Sequence, residues 1–132
     1  MNEEIRKIIS YKISRAYETL EEAELMSKHN HWNTCVNRLY YACFYAVSAL
    51  LLTEDLSSSK HTGVRSLFNN NFIKKNLIPK DLGLLYNELF KSRHSSDYED
   101  FVMMKEDLVC PWIDKTRIFL DTIKTVIERK TG

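Results

Sequence analysis

From Leu39 to Leu52 every residue except Ser48 is apolar or aromatic, and the run follows directly on Arg38. On a helix, Trp32, Cys35, Val36, Leu39, Cys43, Phe44, Val47, Leu50 and Leu51 fall on one face. Tyr41, Tyr45, Ala49 and Leu52 fall on the other, so neither side is left for water. A helix that is apolar nearly all round has to lie at the centre of a bundle or be sandwiched at a dimer interface. The run is 14 residues long, short of the roughly 20 that a bilayer requires. The sequence therefore predicts a buried helix and no membrane anchor.

The neighbouring segments supply what would cover it. Ile5, Ile8, Ile9, Ile13, Ala16, Tyr17, Leu20 and Ala23 recur at helical spacing, with Glu18, Glu21, Glu22 and Glu24 on the wet side. His29-Asn30-His31 breaks this first helix. Ser57-Ser58-Ser59 is a loop with N-cap candidates for a short helix from about Lys60 to Phe68. Asn69-Asn70-Asn71 punctuates the next connection, although Phe72 and Ile73 still need burial. Pro79 suits the first turn of a fourth helix, with Asp81 placed well against the helix dipole and Leu82, Leu85, Leu89 and Phe90 as its inner stripe. Val109, Trp112, Ile113, Leu120, Ile123 and Ile127 mark a last helix, which must either start near Pro111 or bend there. No alternating strand pattern competes. The predicted fold is all-α, an up-and-down bundle of four or five helices forming a single domain over residues 1–132.

The chain is long enough to bury a core without covalent staples. Lysine and arginine number 19 against 18 acidic residues, a net charge of +1, so broad electrostatic capture of nucleic acid is excluded and any RNA contact must be local. Cys35, Cys43 and Cys110 are odd in number, form no CxxC pair and sit in or beside apolar helical runs, which predicts buried reduced thiols. Met1-Asn2-Glu3-Glu4 begins acidic and lacks the apolar core of a signal peptide. A cytoplasmic location is the expectation. No cofactor is called for.

Three places combine groups that carry chemistry. Arg38 stands on the buried helix and needs a partner, with Glu18, Glu21 or Asp97 as candidates, or else a bound phosphate. Lys60 and His61 open the third helix, where free backbone N–H groups bind an anion or simply face water. Arg93-His94-Ser95-Ser96-Asp97-Tyr98, just past the fourth helix, packs a permanent cation, an imidazole, a carboxylate and a phenol into six residues. Arg93 can clamp a phosphate, His94 can move a proton, Asp97 can orient either, and Tyr98 can donate a hydrogen bond. The plain alternative is a helix end whose Arg and His answer its dipole. His29 and His31 face different sides of a helix with no third ligand, so no metal site is expected.

Taken together, these segments resemble the HEPN superfamily, in its short stand-alone prokaryotic branch. The matching residues are Asn37-Arg38-Leu39-Tyr40-Tyr41-Ala42-Cys43-Phe44-Tyr45-Ala46, Ser59-Lys60-His61-Thr62-Gly63-Val64 and Arg93-His94-Ser95-Ser96-Asp97-Tyr98. In order and spacing they cover the chain from about residue 10 to 128.

The resemblance implies a homodimer in which two arginine-bearing segments meet near the two-fold axis. Many such proteins are metal-independent RNases of toxin–antitoxin pairs, partnered by a small nucleotidyltransferase. Their motif is an Arg, usually a polar residue, then a His after four to six intervening residues. RNA is cut through attack by its own 2′-hydroxyl. Here Arg93 and His94 match the start of that motif, and Tyr98 stands where the His belongs. A phenol with an ordinary pKa near 10 is a poor base at neutral pH. The resemblance therefore implies first an accessory module that pairs with a nucleotidyltransferase and binds nucleotide or RNA phosphate through Arg93, Lys60 and Arg38. The alternative it implies is an RNase toxin using Arg93, His94 and Tyr98 at a dimer cleft. Tyr98 as an adenylylation target is a third implication.

Overall fold

The computed structural model describes residues 1–98 and 102–132, with the backbone alone at Tyr98. Five α-helices follow in order: α1 (Glu3–Lys28), α2 (Trp32–Leu52), α3 (His61–Phe68), α4 (Lys80–Tyr98) and α5 (Glu106–Thr131). Among the described residues there is no strand. The all-α bundle is as the sequence predicts.

The helix α1 starts where Asn2 caps it, its side-chain oxygen accepting from the Ile5 N–H at 2.8 Å, with Glu3 and Glu4 in the first turn. It ends at the His29-Asn30-His31 break. Asn30 takes a left-handed φ of 60°, which asparagine tolerates better than most residues, and the His31 N–H returns to the Met26 carbonyl at 2.9 Å. The chain then reverses into α2.

As its two apolar faces require, α2 is the central element, packed against α1, α3, α4 and α5. Cys35, Val36, Leu39, Tyr40, Ala42, Cys43, Ala46, Val47, Ala49, Leu50 and Leu51 are all buried. Each buried leucine or valine contributes roughly 1.5–3 kcal/mol relative to exposure, so this helix anchors the core. Ala42, Ala46 and Ala49 let neighbours approach closely. By length and composition α2 would also suffice to cross a membrane, but the bundle already covers it. Leu82, Leu85, Tyr86 and Leu89 of α4 and Val109, Trp112, Phe119, Leu120, Ile123 and Ile127 of α5 complete the core.

Several expectations need correction. Ile8, assigned to the dry face of α1, is 46% exposed. Asn69–Ile73 is no simple connection but a π-helical turn continuing α3, closed by the Lys74 N–H on the Asn69 carbonyl at 2.9 Å. The wider turn brings Phe72 into the core beside Phe68, their ring centroids 6.3 Å apart. Of the two alternatives for Pro111, α5 does not start at the proline: the helix begins at Glu106 and contains Pro111. Cys110 is exposed, whereas Cys35 and Cys43 are buried free thiols as expected. Most important for the site, α4 continues through Tyr98, so Arg93 lies inside a helix and not past its end.

Candidate functional site

Helical spacing on α2 sets out one wall. Asn37, Tyr40, Tyr41 and Phe44 lie at successive i, i+3, i+4 and i+7 positions and so share a face. On α4, Phe90, Arg93 and Asp97 are similarly three and four residues apart. The two faces meet. The Arg93 guanidinium carbon sits 4.8 Å from the Tyr40 ring centroid and 5.9 Å from that of Tyr41, and Arg93 is only 7% exposed. Burying a guanidinium is costly unless its surroundings hold the charge, and the π faces of two tyrosines do part of that. Four residues on, the Asp97 carboxylate accepts from the Asn37 amide at 2.9 Å.

The third wall comes from α3. His61, its first residue, is half-buried, with Nδ1 2.7 Å from the Tyr40 hydroxyl. Its ring stacks on Phe44 at 4.5 Å and meets Tyr41 edge-on at 5.7 Å. Arg65, one turn along, covers the Phe90 ring at 4.0 Å. The loop before α3 packs against its first turn so tightly that a Cβ at Gly63 would run into the Ser58 side chain. Glycine there lets the loop close and seats His61.

Two groups in this cluster have displaced pKa values. Burial pushes the Tyr40 phenol up to about 12, against the opposing pull of the Tyr86 hydroxyl and the Arg93 guanidinium. His61 is held below its ordinary 6.5, first by burial and then by the positive charge of Arg93. Tyr40 and His61 are thus both kept in their neutral forms at neutral pH. Together, Arg93, Tyr40 and His61 give a fixed cation beside a neutral imidazole and a protonated phenol.

The candidates named from the sequence separate. Arg93 is at the centre. His94, the next residue on the same helix, is about 100° round from it and exposed. The Tyr98 side chain lies outside the described residues. Lys60 is exposed at the N-cap of α3, its backbone N–H donating to Ser58 Oγ at 3.2 Å, directly before His61. Arg38 pairs not with Glu18, Glu21 or Asp97 but with Glu22 at 3.2 Å. It also donates through Nε and an Nη to Asn37 Oδ1, at 3.0 and 2.8 Å, and lies 5.3 Å over the Tyr41 ring. Asp97 takes Asn37 instead. Arg38 therefore stands at the rim of the cluster, held by its neighbours, and Arg93 lines the interior. Among the described residues no three His, Cys, Asp or Glu side chains gather as metal ligands.

The residue that sequence reasoning did not connect with Arg93 is His61. It was visible as a histidine at a helix start, but nothing in the spacing joins position 61 to position 93. The signal was in the tyrosine pair of α2, because a buried Tyr40 needs a partner for its hydroxyl.

The profile of the HEPN domain matches residues 9–126. The chain belongs to the HEPN family. Its arginine segment, with Asn37, Arg38 and the tyrosine pair of α2, falls within the matched span. A Thermotoga maritima protein named "UPF0332 protein" is 47% identical over 128 residues, 97% of this chain and 96% of its own length. A Methanocaldococcus jannaschii protein named "Putative toxin MJ0142" is 33% identical over 118 residues, 89% of this chain and 80% of its own length. A second protein of that organism, named "Putative toxin MJ0605", is 30% identical over 128 residues, 97% of this chain. Both kinds of name thus attach to relatives of this HEPN protein that match it nearly end to end.

Proposed function

We propose that this HEPN protein is the RNA-acting member of a toxin–antitoxin pair, a metal-independent endoribonuclease that grips the scissile phosphate with Arg93. The observation that carries this reading is the seating of Arg93 over Tyr40 at 4.8 Å, with His61 on the same tyrosine. A planar guanidinium fixed by aromatic faces presents its donors to a phosphate with little entropy left to lose. A neutral imidazole beside it supplies proton chemistry, which a binding module does not need. The toxin names of two relatives support the same choice. In this reading two copies pair so that their α4 arginine segments line one cleft.

The test is induced expression of wild type and Arg93→Ala, with soluble protein measured in both. Growth arrest by wild type alone supports the reading. It is strengthened if the purified protein cuts RNA in the presence of a chelator. Sedimentation should show a concentration-stable dimer, and a strict monomer would remove the shared cleft.

One observation favours a second reading, an accessory module that binds nucleotide or RNA phosphate and docks a nucleotidyltransferase. Tyr98 stands in the histidine place of the motif, and His94 is exposed on α4. Binding of RNA without cleavage, and co-purification with a nucleotidyltransferase, would decide for it.

A further inference from the structure

The ribonuclease reading leaves a gap: Tyr98 stands where the closing histidine of the motif belongs, and His94, adjacent to Arg93, diverges from it on α4. The structure places another imidazole next to Arg93. His61 and Arg93 come from different helices, yet both rest on the same two tyrosines: His61 centroids lie 5.7 Å from Tyr40 and 5.7 Å from Tyr41, and the Arg93 guanidinium lies 4.8 and 5.9 Å from those rings. Resting on that reading, we infer that His61, held by Tyr40 beside Arg93, is the proton-transfer residue of the arginine cleft and takes the proton of an RNA 2′-hydroxyl.

The Tyr40 contact orients the ring. Tyr40 lies 2.7 Å from Nδ1, and the tautomer that serves as base is the one in which Nδ1–H donates to the Tyr40 oxygen. In that tautomer Nε2 gains and loses the proton while Nδ1 stays engaged, the orienting contact that an imidazole base requires. Stacking on Phe44 at 4.5 Å fixes the ring plane. The charged and titratable groups around His61 are Tyr40 and Tyr41 from α2, Arg93 from α4, and Lys60 and Arg65 at either side of it in sequence. Burial and the Arg93 charge both lower its pKa, so the imidazole rests neutral near pH 7, ready to accept a proton.

The step balances with the groups named. Nε2 takes the 2′-hydroxyl proton, the 2′-oxygen bonds to phosphorus, and the bond from phosphorus to the 5′-oxygen breaks. Arg93 neutralises the charge that develops on the phosphoryl oxygens. The departing 5′-oxygen takes a proton from water, and the hydroxide left is neutralised by the proton on His61. The products are a 2′,3′-cyclic phosphate and a 5′-hydroxyl, with no oxidant, metal or co-reactant consumed.

Two measurements on the full-length protein test this. The first follows the His61 imidazole by NMR through a pH titration, free and with a 2′-O-methyl oligoribonucleotide that binds but cannot be cut. An anion held at Arg93 should raise the His61 pKa, and Tyr40→Phe should alter the starting value. The second compares RNA cleavage by wild type, His61→Gln, His94→Gln and Tyr40→Phe. The expected result is a loss of more than about a hundredfold for His61→Gln, with oligonucleotide binding retained and with His94→Gln near wild type. Cleavage by His61→Gln at the wild-type rate, or a His61 titration unmoved by a bound oligonucleotide, overturns the inference and leaves the ribonuclease reading standing. Wild type that binds the oligonucleotide but never cuts RNA overturns the ribonuclease reading and, with it, the transfer step assigned to His61.

Discussion

The Asn37 amide donates to the Asp97 carboxylate at 2.9 Å across 60 positions of sequence, while its Oδ1 accepts both hydrogen bonds from Arg38. One asparagine thus ties α2 to the last turns of α4 and holds a rim cation in place. The tie lies one helical turn from Arg93, which rests over Tyr40 of α2.

Asn37→Ala should therefore cost about 1 kcal/mol, the ordinary worth of a lost hydrogen bond at a partly wet position. Its larger effect should be on whatever Arg93 binds. Urea unfolding alongside a phosphate-oligonucleotide binding assay would separate the two. A stability loss with binding untouched would mean that the tie is structural only.

Tyr40 is fully buried and touches His61, Tyr41, Phe44, Tyr86, Phe90 and Arg93. Tyr40→Phe keeps the ring contacts and removes the hydroxyl, so about 1 kcal/mol is expected. Tyr40→Ala leaves a cavity the size of the ring and should cost about 3–5 kcal/mol. Thermal or denaturant melts of the two variants check the difference; equal losses would show that the hydroxyl, not the ring, is what matters.

The depressed pKa of His61 has a definite sign. The folded protein binds that proton less readily than the unfolded chain, whose value is near 6.5. The stability that rests on a neutral His61 is complete above the unfolded value and is lost as pH falls through the lower, folded value. His61→Gln removes this slope. The stability difference between wild type and His61→Gln should therefore shrink on going from about pH 7.5 to about pH 5.5. Arg93→Gln, which removes a neighbouring cation, should raise the folded His61 pKa toward 6.5 and make this loss smaller.

The thiols should divide by exposure. Cys35 is buried and pushed up to about 12 by that burial, Cys43 is higher still for the same reason, and Cys110 is exposed. A thiol reagent at neutral pH should modify Cys110 rapidly in the folded protein and reach the other two only on unfolding. Cys110→Ser should abolish the fast phase and leave the melting temperature within a degree or two, as surface changes usually do. Rapid reaction at all three would mean that α2 opens far more readily than its packing implies.

The amphipathic stripes of α1, α4 and α5, and above all an α2 with no wet face, were enough to specify a helical bundle with α2 at its centre. Periodicity along one helix is a local property, and burying apolar surface leaves few arrangements for such stripes. The chain's letters also marked Arg93, Arg38 and the Lys60-His61 pair as places where charge meets apolar surface. What the letters did not determine was which of these meet. Helix α4 runs on through Tyr98 because its backbone hydrogen bonds continue, and that turned His94 away from Arg93 by the helical rotation of a single residue. Arg38 went to Glu22 and Asp97 to Asn37 because the crossing of α1, α2 and α4 sets which side chains come within reach. The juxtaposition of His61 with Arg93 needed three helices and a tyrosine between them. Contacts of that kind, separated by tens of residues, are decided by packing geometry, which only the folded chain contains.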